Sequence, residues 1–444
     1  MKKQMKKIKL MMTASAASLL AFATFAAPAA ATTITVATVN NSDMIIMQKL
    51  STQWEKATGN HINWLVMEEN VLRQKVTTDI ATHSGLYDVL TIGSYEAPIW
   101  GERGWLQPLD NLGADYDYAD LIPTVKKGLS YDGKLYAVPF YAESSFTLYR
   151  TDLFKAAGLT MPEHPTYTQI AEFADKLTDK SKGIYGICLR GLPGWGENMA
   201  YFDTLVNTFG GEWFNMKWQP QLDTAPWTKA LTFYVNLMRK DGPPGAAANG
   251  YNENQALFEQ GKCAIWVDAT SAAGRVYDPT QSKVANVTGF AAAPTEVTPN
   301  GSAWFWAWSL AIPKTSKHIK TAESFVKWAT SKGYIQLVGK TEGWVVLPPG
   351  TRQSTYELPQ YLAAAPFAKT VEASIESADI SNPTLNKVPY VGIQYVQIPQ
   401  FQVIGTEVGQ QVAAALTGSE TIDQALKNSQ SLTTRIMERA GYLK

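Results

Sequence analysis

Cysteine and histidine are scarce in this chain: two of the first and four of the second in 444 residues. Neither Cys188 nor Cys263 has a histidine nearby, which argues against a structural zinc site, and no metal is expected. Positive charge is also in short supply. Thirty-nine bases face 39 acids, and five of the bases (Lys2, Lys3, Lys6, Lys7 and Lys9) crowd the N-terminus. From residue 32 onward, 34 bases remain against 39 acids, a mildly acidic balance unsuited to nucleic acid or an anionic membrane. After the first thirty residues no apolar run is long enough to span a bilayer.

Several chemical motifs are missing too. Gly339-Lys340-Thr341 has the tail of a P-loop, but Tyr334 stands where the first glycine belongs and Gly333 is one residue too early. Gly194-Trp195-Gly196 lacks the third glycine of a dinucleotide fingerprint. No G-x-S-x-G elbow and no H-E-x-x-H pair occurs. Nothing calls for a cofactor.

What is present starts with an export signal. The five lysines precede an apolar run from Leu10 to Ala27 and a small-residue site at Ala29-Ala30-Ala31. Cleavage is expected after Ala29 or Ala31. No cysteine lies there to carry a lipid, so the expected product is an unanchored periplasmic protein. The roughly 413 residues that follow favour two domains over one core.

They alternate strand and helix signals. Residues 33–39 form a β-branched run. Asp43 is a candidate cap for a helix presenting Ile46, Met47, Leu50 and Trp54, stopped by Gly59. Further strands are expected at 62–67 and 87–92, with a helix between them, giving a mainly parallel sheet. Thr166 and Gln169 read as a capping box, and Pro226 as a first-turn proline. Two segments, 137–145 and 290–294, read as crossings between lobes, each carrying a proline. Cys188 and Cys263 sit in strand-like runs, where either a disulfide or two buried thiols fits.

Fourteen tryptophans and twenty tyrosines exceed what core filling needs. Trp304, Trp306 and Trp308 alternate, so in a strand all three face one side, either a core or a cleft. Trp195 and Trp344 have glycine neighbours, which suits exposed loops facing a ligand. Glu68, Glu69, Glu143 and Asp268 fall just past strand ends or at a crossing. Such acids serve a glycosidase as a catalytic pair, or a binding protein as acceptors for sugar hydroxyls.

Together, several stretches resemble the sugar-binding proteins of ABC transporters. They are residues 140–159 (FYAESSFTLYRTDLFKAAGL), 177–188, Phe258-Glu-Gln-Gly261 followed by 263–268, 308–313 (WSLAIP) and 325–331 (FVKWATS). Residues 37–41 (ATVNN), 68–74 (EENVLRQ), 77–82, 185–190 (YGICLR), 194–199 (GWGENM) and 388–393 (VPYVGI) are similar to the polyol-binding branch. Trp306-Ala307 replaces the paired glycines usual in the wider family, which narrows the cleft and suits a six-carbon chain.

The resemblance implies an α/β, type II periplasmic binding fold: two lobes, each an open mixed sheet flanked by helices, with ligand in the cleft between them. The expected lobes are 32–140 with 294–342, and 141–293 with 343–444. It also implies a monomer that binds a sorbitol- or mannitol-type polyol, or another sugar, without chemistry and delivers it to a membrane permease. The expected contacts are Asn40, Glu69 and Tyr95 from the first lobe and Tyr141 and Glu143 at the hinge. Arg190, Trp195, Asp268, Trp344 and Tyr390 come mostly from the second lobe. Trp195, Trp306 and Trp344 exclude water.

Overall fold

Two sheets share the polypeptide, and the chain first passes from one to the other at a single residue. The computed structural model describes residues 31–443; residues 1–30, which carry the expected export signal, lie outside them. The first sheet runs β2-β1-β3-β11-β6: β1 (Thr33–Val39), β2 (His61–Met67), β3 (Val89–Ile92), β6 (Val138–Glu143) and β11 (Trp306–Ala311). Strands β1, β2 and β3 are parallel, whereas β11 runs antiparallel to both β3 and β6. The second sheet runs β10-β7-β9-β8, built from β7 (Ser145–Arg150), β8 (Tyr185–Cys188), β9 (Cys263–Ala269) and β10 (Thr288–Ala292). Strands β4 (Ser130–Tyr131) and β5 (Lys134–Leu135) form a small hairpin.

Both sheets are mixed because each receives a strand from a crossing. Only Ser144 separates β6 from β7, inside the first expected crossing. The return begins after Ala292 and takes until Trp306, longer than the residues 290–294 read from the sequence.

Local signals explain several helix ends. Gly59 adopts φ 73°, and its N–H closes the helix Ser42–Thr58 on the Glu55 carbonyl. That helix starts earlier than expected: Asn41, not Asp43, is its N-cap, and Asp43 sits in the first turn. The Thr166–Gln169 capping box forms, and Pro226 occupies the first turn of Ala225–Asp241. Helices Phe401–Thr417 and Ile422–Arg439 pack on the second-sheet side, against Asn198–Thr208 and Ala225–Asp241.

Arg352 shows how the C-terminal third is shared. Fully buried, it donates to the Tyr116 carbonyl at 3.0 Å, the Asp117 carbonyl at 3.1 Å and the Thr330 carbonyl at 3.1 Å. The expected boundary at 342/343 assigns Arg352 to the second lobe, yet these partners bind it to first-lobe segments.

Cys188 and Cys263 are joined by a disulfide between neighbouring strands β8 and β9, which resolves the alternative left open by the sequence. Closing a loop of 75 residues removes much of the freedom of the unfolded chain. Residues 32 onward form one compact unit. Among the described residues no helix is long and apolar enough to cross a membrane.

Candidate functional site

The site lies where strand ends of the two sheets meet. After β2, Glu68 caps the helix Glu69–Thr82, its carboxylate accepting from the N–H groups of Asn70 and Val71 at 3.1 and 3.2 Å. That role fixes the first turn and points Glu69 inward. One turn later, Arg73 donates to Glu69 Oε1 from Nε at 3.0 Å and Nη2 at 2.8 Å, and to Glu96 Oε1 from Nη1 at 2.8 Å. Glu96 is held in turn by the Gly93 N–H at the end of β3. The Arg73 guanidinium lies 3.9 Å from the ring centroid of Trp195 and 4.8 and 4.9 Å from those of Trp306 and Trp308.

A second buried pair faces it from the other sheet. Arg190, just past β8, grips Asp268 on β9 through Nε (3.0 and 3.1 Å) and Nη2 (2.6 Å). Its Nη1 donates to the Gly196 carbonyl at 2.8 Å, and Glu197 stands 3.8 Å away.

Between these pairs is a cavity with about 420 Å³ of space, mouth included. The first-sheet side contributes Asn41, Glu69, Arg73, Glu143, Trp306 and Trp308. Opposite them are Arg190, Trp195, Gly196, Ala200 and Tyr251, and Trp304 and Gln394 complete the wall.

The indole N–H groups of Trp195, Trp304 and Trp306 are buried with no hydrogen-bond partner, as is Gln394 Oε1. Orphaned donors are costly in a folded interior, and here three of them belong to residues lining one cavity. Glu143, at the end of β6, accepts from Ser271 Oγ at 2.5 Å. Burial pushes its carboxyl up to about 8 despite Ser271 and Arg190, with Asp268 and Glu69 adding to the rise. Burial and the nearby Glu69 also hold Glu197 well above the usual carboxylate range. Burial opposes the charge on Arg190, but Asp268 and Glu197 outweigh it and keep the guanidinium protonated. Five acids thus surround two guanidiniums, and part of the excess negative charge is removed by protonation.

Of the eleven residues expected at a ligand, Glu69, Glu143, Arg190, Trp195 and Trp306 line the cavity. The other six do not. Asn40 is exposed, and its neighbour Asn41 faces the cavity instead, donating to Tyr141 Oη at 2.9 Å. Tyr141 is therefore a buried support for Asn41. Tyr95 lies behind Trp195 at a centroid distance of 4.8 Å and donates to the Ile398 carbonyl. Asp268 stands behind Arg190. Trp344 packs on Gly339, and Tyr390 accepts from the Trp213 N–H. The sequence reading missed Asn41, Arg73, Gly196, Ala200, Tyr251 and Gln394, and it left Trp304 and Trp308 between a core and a cleft. Two signals were legible: the Glu69–Arg73 spacing of one helical turn, and the alternation of the three tryptophans, all of which line the cavity. No group of three or more potential metal ligands occurs among the described residues.

Residues 37–336 match the bacterial extracellular solute-binding protein family. The mannitol-binding protein of Pseudomonas aeruginosa is 56% identical over 413 residues, 93% of this chain and 94% of that one. A solved ABC transporter solute-binding protein from Agrobacterium vitis S4 with bound D-mannitol is 58% identical, with TM-score 0.92 over 93% of this chain and all of that one. Another from Agrobacterium radiobacter K84, in complex with ribitol, is 26% identical with TM-score 0.81, over 91% of this chain and 98% of that one.

Proposed function

The chain belongs to the bacterial extracellular solute-binding proteins, and from that premise we propose that it is the binding component of an ABC importer for a linear polyol. A hexitol of the mannitol or sorbitol type is the ligand the cavity suits. One observation carries this reading: unpartnered indole N–H groups of Trp195, Trp304 and Trp306 and the unpartnered Gln394 oxygen belong to residues lining a single cavity. An open-chain polyol has a hydroxyl on every carbon, each able to donate and accept. Its desolvation is offset only where each hydroxyl finds a partner. The bound polyols of the two solved relatives support the same ligand class.

In this reading the contacts are Asn41, Glu69, Glu143, Arg190, Trp195, Trp304, Trp306 and Gln394. The sheets belong to two lobes hinged at Ser144 and at the return before β11. Ligand bridges them and favours the closed state by its differential affinity for that state. The protein acts as an exported, unanchored periplasmic monomer that performs no chemistry on its ligand and passes it to permease subunits.

Calorimetry with D-mannitol, D-sorbitol, ribitol, D-glucose and maltose tests the proposal. Hexitols should bind tightest, and at about 100 times the dissociation constant should add about 2.7 kcal/mol to stability. Binding of maltose or glucose with no response to hexitols, or turnover of any of these ligands, overturns it.

A further inference from the structure

Two glycines flank Trp195 at the junction of the sheets, and neither is there for its backbone freedom. Gly194 and Gly196 are absent from the residues with positive φ, so an L side chain meets no backbone strain at either. What they supply is the lack of a Cβ. A Cβ on Gly196 would run into Glu69 Oε1 and lie 2.8 Å from Arg73 Nε and 2.9 Å from its Nη2. A Cβ on Gly194 would run into Asn70 Oδ1 and lie 3.0 Å from Asn70 Cγ. Every one of these atoms belongs to the first turns of the helix Glu69–Thr82, on the opposite side of the cavity.

The loop cannot easily retreat on its own side. The Gly196 carbonyl accepts from Arg190 at 2.8 Å, and the Gly194 N–H donates to Asn198 Oδ1 at 3.1 Å. Asn198 is tied to the Gly409 carbonyl at 2.8 Å. Opposite, Glu69 is clamped by two bonds from Arg73, whose other arm is held by Glu96. Two braced surfaces therefore meet, with room between them only because the loop has no side chains at those two positions. Asn70 adds one bridging bond, from Nδ2 to the Pro193 carbonyl at 3.2 Å.

We propose that Gly194 and Gly196 are closure-determining residues: their bare backbone lets the Trp195 loop seat on the Glu69–Arg73 pair, and a methyl group at either position holds the two halves of the site apart. The inference rests on the lobe-closure reading above. Closure brings Trp195 over Arg73, so the same contact that shuts the cavity also finishes its wall. The defect in such a variant belongs to the closed state, because separated halves leave the added methyl group in open space.

Three variants test this: Gly196→Ala, Gly194→Ala and Gly194→Ala with Asn70→Ala. D-Mannitol affinity is measured by calorimetry, and closure by small-angle scattering with and without saturating ligand. Wild type should bind and contract. G196A should lose at least about tenfold in affinity and contract less, while melting like wild type without ligand. G194A should weaken binding more mildly, and removing the Asn70 side chain should restore much of the loss, which a general folding defect would not allow. If G196A misfolds, the G194A pair decides. Wild-type binding with G196A and G194A within about twofold of it, or no rescue by N70A, overturns the inference. Failure of wild type to bind any hexitol would instead count against the proposed ligand.

Discussion

Arg73, on the helix that follows β2 of the first sheet, and Trp195, in the loop that follows β8 of the second, meet with the guanidinium carbon of one 3.9 Å from the ring centroid of the other. Glu69 and Glu96 fix the arginine in place for this contact. Replacing Arg73 by Met should leave both carboxylates buried without their cation, at a cost of about 3–5 kcal/mol. Urea denaturation should show that loss at neutral pH, and part of it should be recovered in acid as the two acids protonate. A variant as stable as wild type would mean the pair contributes nothing to folding.

Trp304 and Trp306 offer a different test because their rings and their N–H groups do separate work. Trp304→Phe and Trp306→Phe keep an aromatic wall but remove an orphaned donor. Each should weaken hexitol binding by roughly tenfold, about the contribution of one hydrogen bond to a buried partner. The unliganded variants should melt at or slightly above the wild-type temperature. Unchanged affinity would show that these donors never meet the ligand.

Asp268 should behave as a support. It makes three contacts under 3.2 Å with Arg190 and accepts from the Trp266 indole N–H at 3.1 Å. Asp268→Ala should therefore destabilise the unliganded protein by about 3–5 kcal/mol, besides weakening binding. Asp268→Asn should do less harm. Loss of binding with an unchanged urea midpoint would place Asp268 on the ligand itself.

Glu143 sets a pH dependence whose sign is fixed by burial. Its carboxyl is raised from 4.5 to about 8, and that of Asp43 from 3.8 to about 7, burial being the main cause for both. Between the unfolded and folded values the native chain holds protons that the unfolded chain has released, so stability falls as pH rises. The contribution is fully present below the unfolded values and lost as pH passes about 7 to 8. Denaturation midpoints should drop between about pH 5.5 and about pH 8, and Glu143→Gln should flatten that slope. An equal slope in the variant would assign the effect to other groups.

Much of the architecture was legible because it rests on short-range rules. A β-branched run makes β1, Gly59 ends the first helix, and Thr166 with Gln169 begins another, all within a few residues of chain. The site was harder. Glu68 and Glu69 are indistinguishable as adjacent acids, and only the helix start decides that Glu68 caps the backbone while Glu69 meets Arg73. Asn40 and Asn41 pose the same difficulty: one residue of register at the end of β1 reverses which of them faces inward. Tyr95, Tyr390 and Asp268 looked like ligand contacts by residue type, yet buried hydroxyls and carboxylates also brace other side chains.

By itself the sequence determined the alternation of strands and helices, the strand-like settings of the two cysteines and the run of alternating tryptophans. Each depends on side-chain period or on residues close along the chain. Tertiary structure alone decided that Cys188 bonds Cys263, that Arg73 is caged by tryptophans from two distant segments, and that Gly194 and Gly196 meet the Glu69 helix. Those outcomes depend on how the two sheets approach one another, a geometry that no local pattern of residues encodes.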